Sequence, residues 1–566
     1  MPTSDKEKIL LALLPYWTPQ IPPVGIACLK SFLQNHGFDV AAVDANVEKD
    51  SRSIYEKYFN ILRKYISERK RGNFYNIGHD VLQNHMMAHL HYTDEAEYIE
   101  LVKILIFKTF YIEVDDQLIG QLNRVVVEFY RWLEEYTLRL LSEEKPDVLG
   151  LSVYRGNLPA SMFAFKLTRE KYPHIKTVMG GAVFAQSLAP RTPSFKFFLE
   201  KTRDYIDTLI IGEGEHLLLK LLKGQLPPHQ RVFTFKDIGG EILDLSRAPI
   251  PDFSGLDLEF YPNMASYASR SCPYQCTFCT ETVYWGKYRR KTTGKILDEL
   301  TRLHNKHGRQ LYLLCDSLLN PIISELADEF VNSGRVLYWD GYLRVDRHSC
   351  NREKVLSWRR GGFYRARLGV ESGSQEILEA MEKKITVDQV KNTISNLADA
   401  GIKVTTYWII GYPGETEKDF QQSLDLVEKL KDDIYEAECN PFGFYPDGQV
   451  KSEEWTSGNM ILPVYPAKAL DMLITQTWSL NREPSREETY KRINRFVQHC
   501  TRLGIPNPYS LYDISQADER WKKLHKNAVP SLLEFKNTGN YIHESKQVKK
   551  ILMADKTAAG NMEFDF

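Results

Sequence analysis

Three of the chain's eight cysteines fall in one short stretch, Cys272-Pro273-Tyr274-Gln275-Cys276-Thr277-Phe278-Cys279. Such a loop puts three thiolates near one another, which few folds require unless a metal group sits there. The remaining cysteines, Cys28, Cys315, Cys350, Cys439 and Cys500, are too scattered for a disulfide framework. A chain of 566 residues can also bury its cores without such staples. A closed structural zinc site needs a fourth ligand, and no second pair motif supplies one. Three thiolates on a four-iron cube instead leave one iron open to a cofactor or substrate.

The loop sits in a chain that alternates strands with helices. Residues 9–14 are a continuous apolar run ended by Pro15, the pattern of a strand buried on both faces. A helix over 26–33 closes at Gly37, and strands follow near 40–44, 148–152, 177–181 and 208–211. This order predicts a doubly wound, Rossmann-like parallel sheet with its ligand beyond the carboxyl ends of the strands. Tyr16, Trp17, Ser152, Tyr154, Arg155, Gly180, Gly181, Gly212, Glu213 and Gly214 then share one rim. Residues 49–143 interrupt the series as a helical insertion, with amphipathic helices expected over 97–107 and 125–141. His85, His89 and His91 there have a spacing that can hold a metal. No carboxylate or cysteine completes that set, so a partly solvated helix face is the expectation.

The expected division is a sheet domain over 1–240, a Pro-rich linker over 241–262, a barrel over 263–450 and a mainly helical region over 451–566. Barrel strands are expected near 264–267, 311–314, 336–339, 366–370, 404–410 and 434–437, with helices such as 292–305 and 376–383. Six strands with crossovers fit a partial (β/α)6 barrel. In the last region the clearest helices are expected over 467–478 and 487–503.

Hydrophobic residues make up 43% and charged residues 26%, an ordinary globular balance. Lys plus Arg total 73 against 74 Asp plus Glu, which gives no global argument for nucleic acid or a membrane surface as partner. No apolar run reaches the roughly 20 residues of a spanning helix. The first residues lack the basic-then-apolar order of a signal peptide, so a cytoplasmic location is expected.

With Phe278 in its aromatic place, the cysteine loop resembles that of the radical S-adenosylmethionine enzymes. The likeness runs over about 264–447. Residues 369–378, Gly369-Val370-Glu371-Ser372-Gly373-Ser374-Gln375-Glu376-Ile377-Leu378, look like the family's fourth-strand segment beside the cofactor's ribose and amino-acid part. Ile410-Gly411-Tyr412-Pro413-Gly414-Glu415-Thr416 resembles its fifth-strand turn beside the adenine. The resemblance implies that Cys272, Cys276 and Cys279 bind a 4Fe–4S cluster whose open iron chelates S-adenosylmethionine. Phe278, Glu371, Ser372, Ser374, Gly411 and Pro413 would surround that molecule, joined by Arg344 at the barrel rim. An external reductant of flavodoxin or ferredoxin type would supply the electron that generates a 5′-deoxyadenosyl radical. Asp316, Asn320 and Asp346 are further rim candidates, and Arg289-Arg290-Lys291 is either a cofactor contact or a solvated charge run.

Residues 1–240 look like the cobalamin-binding domain that precedes this barrel in one large subfamily; a nucleotide-binding sheet is the alternative. The matching pieces are Pro22-Pro23-Val24-Gly25, residues 146–152, Gly180-Gly181 and Gly212-Glu213-Gly214-Glu215. The family's methylthiotransferases carry three more cluster cysteines in this part, whereas residues 1–271 contain only Cys28. The Asp-x-His-x-x-Gly loop that places a histidine under cobalt is missing; the nearest match is Asp346-Arg347-His348, in the barrel. Base-off cobalamin without a histidine ligand is therefore expected, with Tyr154 or Arg155 beneath it. The resemblance implies a methyltransferase acting on an unactivated carbon of a peptide or natural product. One S-adenosylmethionine would methylate cob(I)alamin, and another would give the radical that prepares the carbon for the methyl group. A cobalamin-using cyclase or rearrangement enzyme is the close rival, and a non-catalytic cobalamin- or metal-binding protein the distant one.

Overall fold

The computed structural model describes residues 7–15, 21–261, 263–458, 460–507 and 511–525. Tyr16 and Trp17 lie outside the described residues. The first sheet is parallel and has six strands: β1 (Lys8–Leu13), β2 (Asp39–Asp44), β3 (Val148–Ser152), β4 (Lys176–Gly180), β5 (Thr208–Ile211) and β6 (Val232–Thr234). Their spatial order is β2-β1-β3-β4-β5-β6. Strand β6 was not among the expected strands, because three residues are too few to show a period.

Strand β1 explains why its sequence is apolar throughout. It pairs with β2 on one side (Leu10↔Ala41) and β3 on the other (Leu10↔Leu149), so water reaches neither face. Ile9, Leu11 and Leu13 enter a core that continues into the second sheet. Leu10, Ala12 and Leu14 enter another, shared with the helical insertion. Among the described residues the insertion consists of five helices, Lys49–Tyr65, Glu68–Arg71, Phe74–His91, Glu95–Phe110 and Asp116–Glu144. Its Asn73 side chain donates to the Cys439 carbonyl at 2.8 Å, so the insertion reaches the barrel.

The second sheet is also parallel: β7 (Met264–Ser266), β8 (Leu311–Leu314), β9 (Tyr338–Arg344), β10 (Phe363–Glu371), β11 (Lys403–Ile410) and β12 (Glu436–Pro441), ordered β12-β11-β10-β9-β8-β7. Ala366, Leu368 and Val370 of β10 pack outward with Val390, Ile394 and Leu397 of the helix Val387–Asp399. The alternate residues face inward and carry charge. Arg365 pairs with Glu436 at 2.5 Å, Arg367 with Asp340 at 2.9 Å and Lys403 with Asp518 at 2.5 Å. Asp518 belongs to the helix Leu511–Leu524, which meets the amino-terminal end of β11.

Four expectations need correction. Strands placed at 336–339 and 434–437 begin later, at Tyr338 and Glu436, and run on to Arg344 and Pro441. Their inward polar residues hide the strand period, and the preceding apolar pairs mark only the entry. The helix expected over 376–383 stops at Ala380; Glu382 and Lys384 then take left-handed φ of 52° and 54°. The helix expected over 467–478 is only a short turn, Leu470–Leu473, after which Ile474 has φ 61°. Residues Trp478–Leu480 instead pair antiparallel with Ile461–Pro463, in keeping with the β-branched Thr475 and Thr477 that precede them. Among the described residues no helix is long and apolar enough to cross a membrane.

Candidate active site

The cysteine loop is pinched at its base, where Ser269–Arg270 pair antiparallel with Arg289–Arg290. Ser271 turns the chain with φ 71° and donates to the Gly286 carbonyl at 2.6 Å. Distant segments then hold the loop by its backbone. Thr277 N donates to Met381 O at 3.1 Å, and Lys451 N donates to Thr277 O at 3.2 Å. Gln449 Nε2 donates to Phe278 O at 2.9 Å, and the Thr277 and Tyr412 hydroxyls lie 2.7 Å apart. The shape of the loop is thus set independently of its sulfurs.

Cys276 is buried, and Cys272 and Cys279 are half-buried. Burial raises the Cys272 pKa and pushes Cys279 to about 12, with the neighbouring thiols adding to both. Arg344 and Lys383 oppose this at Cys272. Among the described residues no three His, Cys, Asp or Glu side chains converge on a single ion. A cube takes its ligands at separate corners, so three thiols around one cation-flanked loop fit a 4Fe–4S group. Binding such a group deprotonates the thiols, and the two cations stabilise the charge that results.

Strand β10 ends beside this loop in a strained turn. Glu371 has φ 68°, and the β10–β11 register shifts between Gly369 and Glu371. Its carboxylate accepts from Lys383 Nζ at 2.5 Å. That ammonium is 5.9 Å from the Phe278 ring. Arg344 lies 3.5 Å over the Tyr274 ring and donates to the Lys383 carbonyl. Phe278, Arg344 and Glu371 therefore gather at the cysteine loop.

Ser372 and Ser374 are tied into the turn itself. Ser372 Oγ accepts from Ser374 N at 3.1 Å, and Ser374 Oγ donates to Asp419 at 2.5 Å while capping the helix Gln375–Ala380. Both are buried, and their hydroxyls build the turn. At Gly411 (φ 80°) a Cβ would lie 2.2 Å from the Thr489 hydroxyl, so the turn with the half-buried Pro413 requires glycine. Its N–H donates to Glu415, whose pKa burial pushes up to about 7. Lys383 and Gln449 were missed from the sequence, where nothing in their spacing marks them; Tyr274 and Tyr412 lie inside the two recognised segments but were not singled out.

A cavity of about 330 Å³ lies between the carboxyl ends of the two sheets. From the first sheet it is lined by Ser152, Tyr154, Gly180, Gly181, Gly212, Glu213 and Gly214. From the barrel side it is lined by the base of the cysteine loop (Ser269–Ser271), together with Tyr284 and Trp285. A Cβ on Gly181 would fall 2.3 Å from the Val153 carbonyl oxygen, so the loops after β3 and β4 touch backbone to backbone. Apolar walls and open glycine turns suit a large cofactor approached by main chain.

Arg155 does not line this cavity. It pairs with Asp80 of the insertion at 3.2 Å and borders a separate hollow with Tyr445 and Trp478. Of Arg289, Arg290 and Lys291, only Arg290 is exposed as a solvated run would be; Arg289 is half-buried and Lys291 fully buried. Each is ion-paired, with Glu213, with Glu325 (2.8 Å) and with Glu299 (2.9 Å). Asp316 accepts from Ala268 N at 2.9 Å, and burial pushes its carboxyl up to about 6. Asn320 ties Asp346 (2.7 Å) to the Arg344 backbone, so these rim groups brace one another. His348 N donates to Asp346 at 2.9 Å in a local turn. His85 sits between the Tyr58 and Tyr98 hydroxyls at 2.9 and 2.6 Å, and burial lowers its pKa to about 3. It is a core histidine and not part of a solvated face.

Residues 266–427 match the Radical SAM superfamily. That segment is a radical SAM domain, and the fold of the chain as a whole is similar to those of two solved radical S-adenosylmethionine enzymes. The solved structure of the radical S-adenosylmethionine methyltransferase TsrM from Kitasatospora setae, with tryptophan substrate and a SAM analogue bound, superposes with TM-score 0.60 at 15% identity, covering 97% of this chain and 100% of that one. The cobalamin-dependent radical enzyme OxsB, with aqua-cobalamin and S-adenosylmethionine bound, gives TM-score 0.51 at 14% identity, covering 99% and 76%. The anaerobic magnesium-protoporphyrin IX monomethyl ester cyclase of Cereibacter sphaeroides is 26% identical over 369 residues, 58% of each chain. The cobalamin-dependent radical SAM methyltransferase TokK of Streptomyces tokunonensis is 26% identical over 318 residues, 50% of this chain and 44% of that one. The chain thus spans less than two thirds of the length of these curated relatives.

Proposed function

We propose that this protein methylates an unactivated carbon of a peptide or natural-product substrate, using a 4Fe–4S cluster, S-adenosylmethionine and cobalamin. The observation that carries the reading is the cavity, bounded by the glycine turns of β3–β5 on one side and the base of the cysteine loop on the other. A group held on the first sheet then faces whatever the cysteines hold. When bound, these cofactors supply a 5′-deoxyadenosyl radical for hydrogen abstraction and a transferable methyl group.

The chain's own residues hold and orient. Cys272, Cys276 and Cys279 would ligate the cluster, with Phe278 anchoring the loop between them in an apolar cluster that includes Tyr412 and Trp455. Arg344, Glu371 and Lys383 address the polar end of S-adenosylmethionine, while the turns at Ser372–Ser374 and Gly411–Pro413 fix the walls behind it. Tyr154 lines the cavity from the first sheet and would offer a bound cobalamin no nitrogen. An external one-electron reductant of flavodoxin or ferredoxin type is required.

The test is product mass after anaerobic incubation with reductant, methyl-labelled S-adenosylmethionine and candidate substrates. A gain of one labelled methylene unit supports methylation. The likeness to a cyclase favours a second reading, in which the product is rearranged without that gain. Failure to release 5′-deoxyadenosine overturns both.

Two expectations follow at the site. Glu371→Ala will weaken S-adenosylmethionine binding about 10- to 100-fold, the worth of one charge-assisted hydrogen bond, while iron content stays unchanged. An unaltered dissociation constant would leave Glu371 a purely structural partner of Lys383. Paramagnetic resonance of the cob(II) form will show no superhyperfine splitting from nitrogen. Its presence would exclude the base-off state without histidine.

A further inference from the structure

The turn after β5, Gly212-Glu213-Gly214-Glu215, carries two carboxylates that the cofactors leave unexplained. Their side chains are only 9% and 5% exposed. Arg270 Nη1 lies 2.9 Å from Glu213 and 3.2 Å from Glu215, and its Nη2 also pairs with Glu215. Arg289 closes on Glu213 from the other side, with Nη1 at 3.4 Å, and donates to the Leu243 carbonyl at 2.9 Å. The result is an alternating row, Glu215–Arg270–Glu213–Arg289, with no net charge. Burial alone would raise the Glu215 pKa, but Arg270, with the Glu215 backbone N–H and His216, brings it below the usual carboxylate range.

The two arginines sit on the short paired strands that pinch the base of the cysteine loop. Arg270 precedes Cys272 by two residues, and the single intervening residue, Ser271, is held at φ 71°. The Arg270 guanidinium is further confined between the Tyr267 and Trp285 rings, at 5.2 and 5.6 Å. The row therefore runs from the carboxyl end of β5, along the cavity wall, to the root of the first cluster cysteine. Guanidinium forks fix direction as well as distance.

We infer that Glu213 and Glu215 are positioning residues whose carboxylates lock the cysteine loop to the β5 turn and so set the separation between the two cofactors. The inference rests on the proposed function in that both cofactors bind. Arginine occupies both carboxylates, so the turn meets a ligand through Gly212 and Gly214 and not through acid groups. Transfer between two bound groups depends steeply on their placement, which gives a rigid, charge-neutral strut its purpose.

The experiment compares wild type with Glu213→Gln, Glu215→Gln, their double variant and Arg270→Lys. Iron and cobalamin contents are measured first. Pulsed paramagnetic resonance then gives the distance distribution between cob(II) and the reduced cluster in holoprotein. Alkylation of Cys272 in cluster-free protein, located by mass spectrometry, gives a second readout. The double variant should retain both cofactors, show a broader distance distribution and alkylate Cys272 about 10- to 100-fold faster, as loss of charge-assisted bonds implies.

An unchanged distribution together with unchanged alkylation overturns the inference. Loss of cobalamin with Cys272 still protected also overturns it, because the carboxylates would then be ligands. An equal rise at buried Cys439 would mark general unfolding. In that case Arg270→Lys decides, since it keeps the charge and loses the fork: faster labelling of Cys272 alone supports the strut, and wild-type labelling overturns it. Wild-type protein that takes up no cobalamin would overturn the proposed function instead, and the alkylation arm would still judge the strut.

Discussion

Replacing Cys272, Cys276 and Cys279 together by alanine will leave a folded protein that takes up no four-iron cluster and releases no 5′-deoxyadenosine. The protein should fold because the loop is held by backbone and side-chain bonds from Met381, Tyr412, Gln449 and Lys451, none of which involves sulfur. It should be inactive because no other thiol lies on the loop; Cys28, which also lines the cavity, is buried on the first helix with its pKa pushed up to about 12. Cys439 and Cys500 are buried in the core, and Cys315 points at the cavity with its thiol pushed up by burial. Cys350 contacts Gln389 O at 3.6 Å, away from the loop. Changing Cys315 or Cys350 will therefore leave cluster content and nucleoside release intact. Iron and sulfide analysis with chromatography of the nucleoside product checks both halves. A full cluster in the triple variant, or a fully active zinc protein free of iron, would remove the site from this loop.

Glu299→Ala should cost about 3–5 kcal/mol of barrel stability, the penalty for stranding a buried charge. Lys291 and Glu299 are 0% and 1% exposed and lie 2.9 Å apart. Ser266 Oγ donates to the same carboxylate at 2.7 Å, and the Lys291 ammonium rests 3.5 Å from the Tyr267 ring. Removing the carboxylate leaves that ammonium without its counter-ion in an apolar setting. Replacing both partners by apolar residues, as in Lys291→Met with Glu299→Leu, should recover most of the loss. Urea midpoints measured on each variant are the readout, since a chain with two sheets need not unfold in one step. Equal midpoints for Glu299→Ala and the wild type would show that Lys291 finds water in the native state.

The parts legible in the sequence are those whose cause is local. Three cysteines on one loop, a strand apolar on both faces and glycine turns at strand ends each follow from neighbouring residues. They were enough for the radical SAM barrel and the parallel sheet before it. The structure also draws Ser152, Tyr154, Gly180, Gly181, Gly212, Glu213 and Gly214 to one cavity, as ligands beyond strand ends should be. What escaped has non-local causes. Lys383 matters because a left-handed turn carries it to Glu371, and Gln449 because it reaches back across the fold to Phe278. Arg155 left the expected rim because Asp80, from the insertion, competes for it. The bonds of Ser372 and Ser374 within their turn were equally invisible, because short polar residues serve binding and turn-building equally well.

Strand β1 sends alternate side chains into two separate cores, one shared with the barrel and one with the helical insertion. A slip of one residue would exchange the two sets and misfile both cores at once. Its partner β3 arrives only after the insertion has been synthesised, because residues 49–144 lie between β2 and β3. The first strand must therefore wait, half-paired, while some hundred residues fold against one of its faces. Long-range pairing of that kind is slow and leaves an edge exposed. The kinetic weak point of this protein is thus its beginning: assembly of the catalytic halves is gated by how the insertion settles on a strand of six residues.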